Sequence, residues 1–271
     1  MAIEILDFYF RKIDKVSTKH IAIRRHVEKW GTRSGDSVSV EDAQSFLNDL
    51  KLKPSTYSAY LFILKAAWIR SKIAPNPWAQ IKAPLIRLGN ADPFTQAEVD
   101  AILEAFKDSY YLPYVKGLFA TGCRPGEVSA LTWGDVRGHD LMISKSWDDR
   151  QLKINPTKTG RDRIIPIGPG LSTLLTSLKT DVTTDKDLIF PAKQGGPISA
   201  KSFLKRHWQP ALKLAGVRYR STYRTRHTVW SHAIDRGMSV IDASELAGNR
   251  PETMTRHYLG KVKRPSMPEL L

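Results

Sequence analysis

The sequence predicts a mainly helical α+β protein with a small antiparallel β-sheet, arranged in two domains. Apolar residues recur at helical spacing over most of the chain. A short stretch between residues 141 and 167 instead carries β-branched segments separated by turn residues. The chain has 271 residues, which exceeds one average domain, and prolines interrupt its helical pattern before residue 93.

The first part of the chain is predicted to be entirely helical. Residues 5–30 have apolar positions at helical spacing and form one or two helices, which end before the glycines at 31 and 35. A third helix begins near Ser39, because two carboxylates follow in its first turn. A fourth begins at Pro54, since proline is favoured at the first position of a helix.

A linker is predicted where the helical pattern stops. Residues 82–93 contain two prolines and a glycine and lack helical periodicity. The sequence therefore predicts a helical domain over residues 1–88 and a second domain over residues 89–271.

The second domain is predicted to begin with a capped helix, because Thr95 and Glu98 match the capping-box spacing. The three segments that match short strands are Leu141–Ser144, Gln151–Ile154 and Arg163–Ile167. Further helices are expected at 111–120, from Leu171 onward, and at 199–215, 225–236, 239–246 and 251–257.

The charge of the chain favours a polyanionic partner. Its formal net charge is +15, and residues 1–90 hold 15 basic and 8 acidic side chains. Residues 201–271 hold 14 basic and 5 acidic side chains, whereas the segment between these two is nearly neutral. Two separated basic segments predict contact with nucleic acid from two sides. Solvated helix faces are the alternative interpretation of the same pattern.

Several function classes fit the sequence poorly. No apolar run reaches the length that spans a membrane, and the single cysteine cannot form an internal disulfide. The sequence contains no H-E-x-x-H motif, no thiolate zinc set and no Walker loop. We therefore expect a cytoplasmic protein that needs no metal or other cofactor.

Two cationic residues of the second domain stand in turns. Arg124 lies in Thr121-Gly-Cys-Arg-Pro-Gly-Glu-Val128, between two apolar helical segments. A guanidinium there can face a cleft, although a surface or capping role is the simpler interpretation of the residue alone. Lys158 lies in the polar turn Thr157–Gly160, where a lysine taken alone is simply solvated.

Two more motifs lie nearer the carboxyl terminus. The run Tyr223-Arg-Thr-Arg-His227 opens an amphipathic helical pattern, in which a histidine taken alone is more often structural. The run Leu246-Ala-Gly-Asn249 precedes Tyr258 by nine positions. Together the four motifs resemble those of the tyrosine recombinase, or phage integrase, family, and the resemblance covers roughly residues 95–260.

The resemblance implies a role for each matching residue. Tyr258 is the expected nucleophile toward a DNA phosphorus. Arg124 and Arg226 are expected to bind the scissile phosphate, which suits a planar guanidinium that donates twice and stays charged. Glu127 is expected to support the arginine three positions before it, and His227 matches the second motif.

Lys158 is the residue that the resemblance implies as general acid. An ammonium beside the leaving 5′ oxygen can donate a proton as negative charge develops on that oxygen. The nearby cations Lys153, Arg161 and Arg163 are weaker candidates for this role.

Two positions depart from the family pattern. Tyr223 stands where the family most often has histidine, and a phenol with a pKa near 10 is a poor proton shuttle at neutral pH. Asn249 replaces the usual histidine or tryptophan, and its amide can hydrogen-bond a phosphate oxygen but cannot transfer a proton. We expect both side chains to position or bind the phosphate.

The resemblance implies a site-specific recombinase with a helical core-binding domain and a tyrosine-recombinase catalytic domain. Its expected partner is double-stranded DNA, which a homotetramer would cut through a 3′-phosphotyrosyl link, and DNA-bending accessory proteins are further candidate partners. A type IB topoisomerase would use the same residues. A DNA-binding regulator without cleavage activity is the alternative from another class.

Overall fold

The computed structural model describes residues 1–14, 16–31, 34–85, 92–157, 160 and 162–258, and the side chains of the last range through residue 255. The chain divides into two compact units, Met1–Arg87 and Leu88–Leu271. The roles of these units as DNA-binding and catalytic domains stay predictions. No helix of the described residues is both long and apolar enough to cross a membrane.

The first unit is helical, as its sequence predicts. Its α-helices are α1 (Ala2–Arg11), α2 (Thr18–Lys29), α3 (Val40–Asp49) and α4 (Pro54–Arg70), followed by a 3₁₀ turn at Pro77–Gln80. Trp68 and Trp78 are fully buried and meet edge to face, with ring centroids 5.4 Å apart. This aromatic contact joins the longest helix to the 3₁₀ turn at the centre of the unit.

The second unit contains the remaining helices. They are α5 (Gln96–Ala105), α6 (Leu112–Thr121), α7 (Pro125–Ser129), α8 (Pro169–Leu178), α9 (Ala200–Phe203), α10 (Gln209–Leu214), α11 (Tyr223–Asp235), α12 (Val240–Ala247) and α13 (Pro251–Tyr258). The predicted helix at 199–215 is helical from Ala200 to Leu214, with a π-helical turn over Leu204–Trp208 between α9 and α10.

The strands form two sheets, whereas the sequence predicted one. They are β1 (Val136–Arg137), β2 (Asp140–Ile143), β3 (Lys145–Asp148), β4 (Lys153–Pro156) and β5 (Arg163–Pro166). Within the described residues, β1, β2 and β5 form one antiparallel sheet, and β3 and β4 form a separate antiparallel pair. The segment near residue 154 lies outside the three-stranded sheet, because it pairs with β3, which the sequence analysis did not predict.

A small apolar cluster joins the three helices that carry the two motifs nearest the carboxyl terminus. Trp230 of α11 packs against Ala243 and Ala247 of α12 and against Met254 of α13, and these four side chains form a small apolar cluster. Met254 is fully buried in this cluster. Burial of apolar surface therefore fixes the backbone of α13, which ends at Tyr258, against the helix that carries Arg226.

Candidate active site

A left-handed glycine directs the chain into the first motif. Gly122 follows α6 with φ +59°, and its N–H donates to the Leu118 carbonyl at 3.2 Å. Arg124 then caps α7, since its N–H donates to Glu127 Oε2 at 2.9 Å. The turn thus places the guanidinium beside the first turn of a new helix.

Replacing Gly122 with alanine is expected to destabilise the unit. An added Cβ would lie 2.9 Å from Val229 Cγ1 and 3.0 Å from the Trp230 ring. The left-handed backbone costs about 1–2 kcal/mol with a side chain, and overpacking costs about 1–3 kcal/mol more. Urea unfolding would measure the loss.

Gly138→Ala is the matched control for Gly122→Ala, because the φ of Gly138 is +62° and nothing lies within 4 Å of the added Cβ. An equal loss of stability in both variants would contradict the packing argument.

Glu127 is a fully buried carboxylate between two arginines. Arg124 Nη1 lies 2.7 Å from Glu127 Oε1, and Arg163 Nη2 lies 2.6 Å from Oε2. Burial acts to raise the pKa of Glu127, but the hydrogen bonds and charges of Arg163 and Arg124 outweigh it and hold the pKa below its ordinary value. Glu127 therefore stays ionised and fixes one edge of the Arg124 guanidinium.

The other edge of that guanidinium meets the third motif. Arg124 Nη2 donates to Asn249 Oδ1 at 3.1 Å, across 125 positions of sequence. Asn249 follows Gly248, whose φ of +66° ends α12, and its own N–H donates to the Ser244 carbonyl at 2.9 Å. The Asn249 Nδ2 atom is buried and has no acceptor among the described residues. The predicted phosphate ligands Arg124 and Asn249 are therefore brought together.

Arg226 of the second motif is fully buried at the same place. Its Nη1 donates to the Gly122 carbonyl at 3.1 Å, and its Nη2 donates to the Ala247 carbonyl at 2.6 Å. These two carbonyls belong to the first and third motifs. Arg226 thus links all three motifs from inside the protein, and its role in phosphate binding stays a prediction.

Tyr223 and His227 lie one turn apart on α11. Their rings meet edge to face with centroids 5.3 Å apart. Tyr223 is 38% exposed, whereas His227 is buried. The phenol at the position usually held by histidine therefore lies at the surface of α11, which suits the predicted contact with a phosphate.

Two predicted site residues are described incompletely or not at all. Lys158, the predicted general acid, lies outside the described residues, as does Arg161. Tyr258 is the last residue of α13, and the structure describes its backbone only. Their places in the site stay predictions.

Arg163 is the residue whose place in the site the sequence analysis missed. It was considered only as a weaker candidate acid, yet it binds Glu127 and lies beside Gly248. A signal was present, because Arg163 and Ile165 alternate with residues 164 and 166 along β5 and share its buried face.

Comparison with known families identifies the family to which the chain belongs. The sequence profile described as the phage integrase family matches residues 93–264, well over half of the chain. The chain belongs to the phage integrase family. A tyrosine recombinase XerC of Xylella fastidiosa is 30% identical over 203 residues, which is 71% of this chain and 64% of that relative. The chain thus spans somewhat less than two thirds of the length of this curated relative.

Solved integrase structures share the α+β fold of this family member. The integrase of transposon Tn1549, in complex with a circular intermediate DNA, superposes with a TM-score of 0.81 at 17% identity and covers 95% of both chains. A lambda integrase tetramer bound to a Holliday junction has a TM-score of 0.71 at 15% identity, and covers 92% of this chain and 76% of that chain. At these identities the two structures support the fold alone.

Proposed function

We propose that this integrase-family protein is a site-specific DNA recombinase that cuts and rejoins duplex DNA through Tyr258. One observation carries the proposal. Three motifs that are far apart in sequence are joined by hydrogen bonds: Arg124 donates to the Asn249 side chain, and Arg226 donates to the backbone carbonyls of Gly122 and Ala247. Guanidinium and amide donors gathered at one place are suited to a phosphate that gains charge in the transition state.

The proposed reaction keeps the number of phosphodiester bonds constant. The Tyr258 oxygen attacks phosphorus and gives its proton to water, while the bond from phosphorus to the 5′ oxygen breaks. Lys158 gives a proton to that 5′ oxygen, which leaves as a hydroxyl. The 3′-phosphotyrosyl ester then reacts with the 5′ hydroxyl of a partner strand, which releases Tyr258 and needs no ATP.

Burial sets an order for the proposed phosphate contacts. The Arg124 side chain is 16% exposed, whereas Arg226 is fully buried. We expect a phosphate to meet Arg124 and Asn249 first, and to reach Arg226 only after the structure around the Ala247 carbonyl shifts.

The partners follow from charge and from the assemblies of the similar proteins. The two basic segments favour double-stranded DNA, and phosphate contacts should make its binding weaken steeply as salt rises. The lambda integrase on a Holliday junction is a tetramer, so we propose a homotetramer on DNA for this chain. DNA-bending accessory proteins and a cytoplasmic location complete the proposal.

The test is a nicked suicide duplex that contains the target site. Cleavage beside the nick releases a short 5′-hydroxyl fragment, so that a covalent complex accumulates and can be mapped on both protein and DNA. We expect an adduct on Tyr258 through a 3′ phosphate, and recombinant product from intact substrates. Relaxation of supercoiled DNA without recombinants would favour the topoisomerase, and DNA binding without any adduct would favour the regulator.

A further inference from the structure

Arg163 contacts more groups of the candidate site than a role as general acid would require. It lies on the inward face of β5, and its side chain is 6% exposed. Its Nη2 and Nη1 donate to the two carboxylate oxygens of Glu127 at 2.6 and 3.3 Å. Its Nε donates to the Leu246 carbonyl at 2.9 Å. One guanidinium therefore holds both the carboxylate behind Arg124 and the last turn of α12.

The stem of Arg163 also lies beneath the turn that presents Asn249. A Cβ built on Gly248 would lie 3.0 Å from Arg163 Cδ, closer than an ordinary contact. The left-handed turn at Gly248 therefore rests on the arginine stem. Because Asn249 is the next residue, any shift of this stem is passed to the amide that contacts Arg124.

The same contacts exclude Arg163 as a general acid. Burial acts to lower its pKa, but the hydrogen bond and the charge of Glu127 raise the pKa above its ordinary value. A guanidinium does not release a proton under physiological conditions. Its function in the site must therefore be one of geometry.

We propose that Arg163 is a positioning residue. It fixes the positions of the Arg124 and Asn249 side chains relative to each other, through its contacts with Glu127 and Leu246, and does not touch the DNA. The role needs the forked shape of arginine. A lysine would supply one charge to Glu127, but it could not also donate to the Leu246 carbonyl from a rigid plane. This inference rests on the proposed function, because Arg124 and Asn249, whose relative position is at issue, are the residues assigned to phosphate binding.

The test is a double-mutant cycle between Arg163 and Arg124, measured as the rate of covalent complex formation on the suicide duplex. Arg163→Lys keeps the buried charge, so we expect it to fold. A small misplacement of catalytic groups can lower a rate by about 10²-fold, and we expect a loss of that order. Because Arg163 acts in part through Arg124, Arg163→Lys should slow the reaction less in the Arg124→Ala background than in the wild-type protein.

The cycle separates positioning from a merely structural role. A loss that only reflects stability would multiply with the loss from Arg124→Ala, and multiplicative losses would overturn the inference.

Arg220→Lys is the matched control. Arg220 is a partly buried arginine held by two carboxylates, with Nε 3.1 Å from Asp92 Oδ2 and Nη1 2.8 Å from Glu98 Oε1. Its losses should multiply with those of Arg124→Ala.

A second measurement does not depend on activity. In the full-length protein labelled with ¹⁵N-arginine, the Nε–H signal of Arg124 is assigned by its loss in Arg124→Ala. We expect Arg163→Lys and Arg163→Met to broaden or shift this signal, and Arg220→Lys to leave it unchanged. An unchanged signal in both Arg163 variants would overturn the inference. A wild-type protein that forms no adduct would instead refute the proposed function and leave this result standing.

Discussion

A Tyr258→Phe variant is expected to bind its DNA site with unchanged affinity and to form no covalent complex at all. The substitution removes a single oxygen, which is the only atom of this side chain that can attack phosphorus. Charge and ring volume are preserved, so the phosphate contacts that dominate affinity remain. The measurement combines binding by mobility shift with denaturing gels of the suicide duplex.

Tyr223→Phe is the matched control for that experiment. It also removes one phenolic oxygen from the predicted site, and its ring retains the edge-to-face contact with His227. We expect slower cleavage, since a phosphate donor is lost, but the adduct should still form on Tyr258. An adduct that persists in Tyr258→Phe and disappears in Tyr223→Phe would move the nucleophile to Tyr223 and overturn the assignment.

Elements specified by local interactions were predictable from the sequence. The capping box of α5 is confirmed, because Thr95 N–H donates to Glu98 Oε2 at 2.8 Å and Glu98 N–H donates to Thr95 Oγ1 at 3.2 Å. Both partners lie within one turn of chain, so their spacing alone encodes the contact. Helix starts at Ser39 and Pro54 follow from equally local chemistry.

Strand pairing was less predictable, because it depends on partners that the local sequence does not name. Lys145–Asp148 is half-buried and combines Trp147 with three polar residues, so β3 has no β-branched residue to signal a strand. Without β3, the strand near residue 154 was expected to join the other two segments. In the described structure Trp147 pairs with Ile154 instead, while Leu141 pairs with Ile165.

The candidate site shows the same limit. The order and spacing of the motifs predict Arg124, Arg226 and Asn249 as site residues, but not the contacts that these residues make. Arg163 and Glu127 are 36 positions apart, and Arg163 and Leu246 are 83 apart. Only tertiary structure brings such residues together. The complete burial of Arg226 likewise results from how α11 packs, which no spacing rule encodes.

Replacing Glu127 with glutamine is expected to have the largest effect on stability among the substitutions considered. The side chain is fully buried and pairs with Arg163, which is itself almost fully buried. Removal of one partner leaves the other charge buried and uncompensated, which costs about 3–5 kcal/mol. The free energy of unfolding, obtained from urea titration at neutral pH, should fall by that order.

The stability difference between wild type and Glu127→Gln should depend on pH in a definite direction. The folded-state pKa of Glu127 lies below its ordinary value of 4.5. The stabilisation is therefore fully present above the unfolded pKa and is lost as the pH falls through the folded pKa. Because glutamine does not titrate at this position, the difference should be constant near neutral pH and shrink below pH 4.5.

Glu104→Gln provides the comparison that isolates burial. Glu104 pairs with Lys107 at the same i, i+3 spacing that joins Arg124 to Glu127. Both side chains of the Glu104–Lys107 pair, however, are well exposed. An exposed pair contributes little, because water and salt screen it. Its loss should therefore leave the unfolding midpoint unchanged across the same pH range. If Glu127→Gln behaved like Glu104→Gln, or if its effect grew as the pH fell, the carboxylate could not be the ionised centre that holds Arg124 and Arg163 in place.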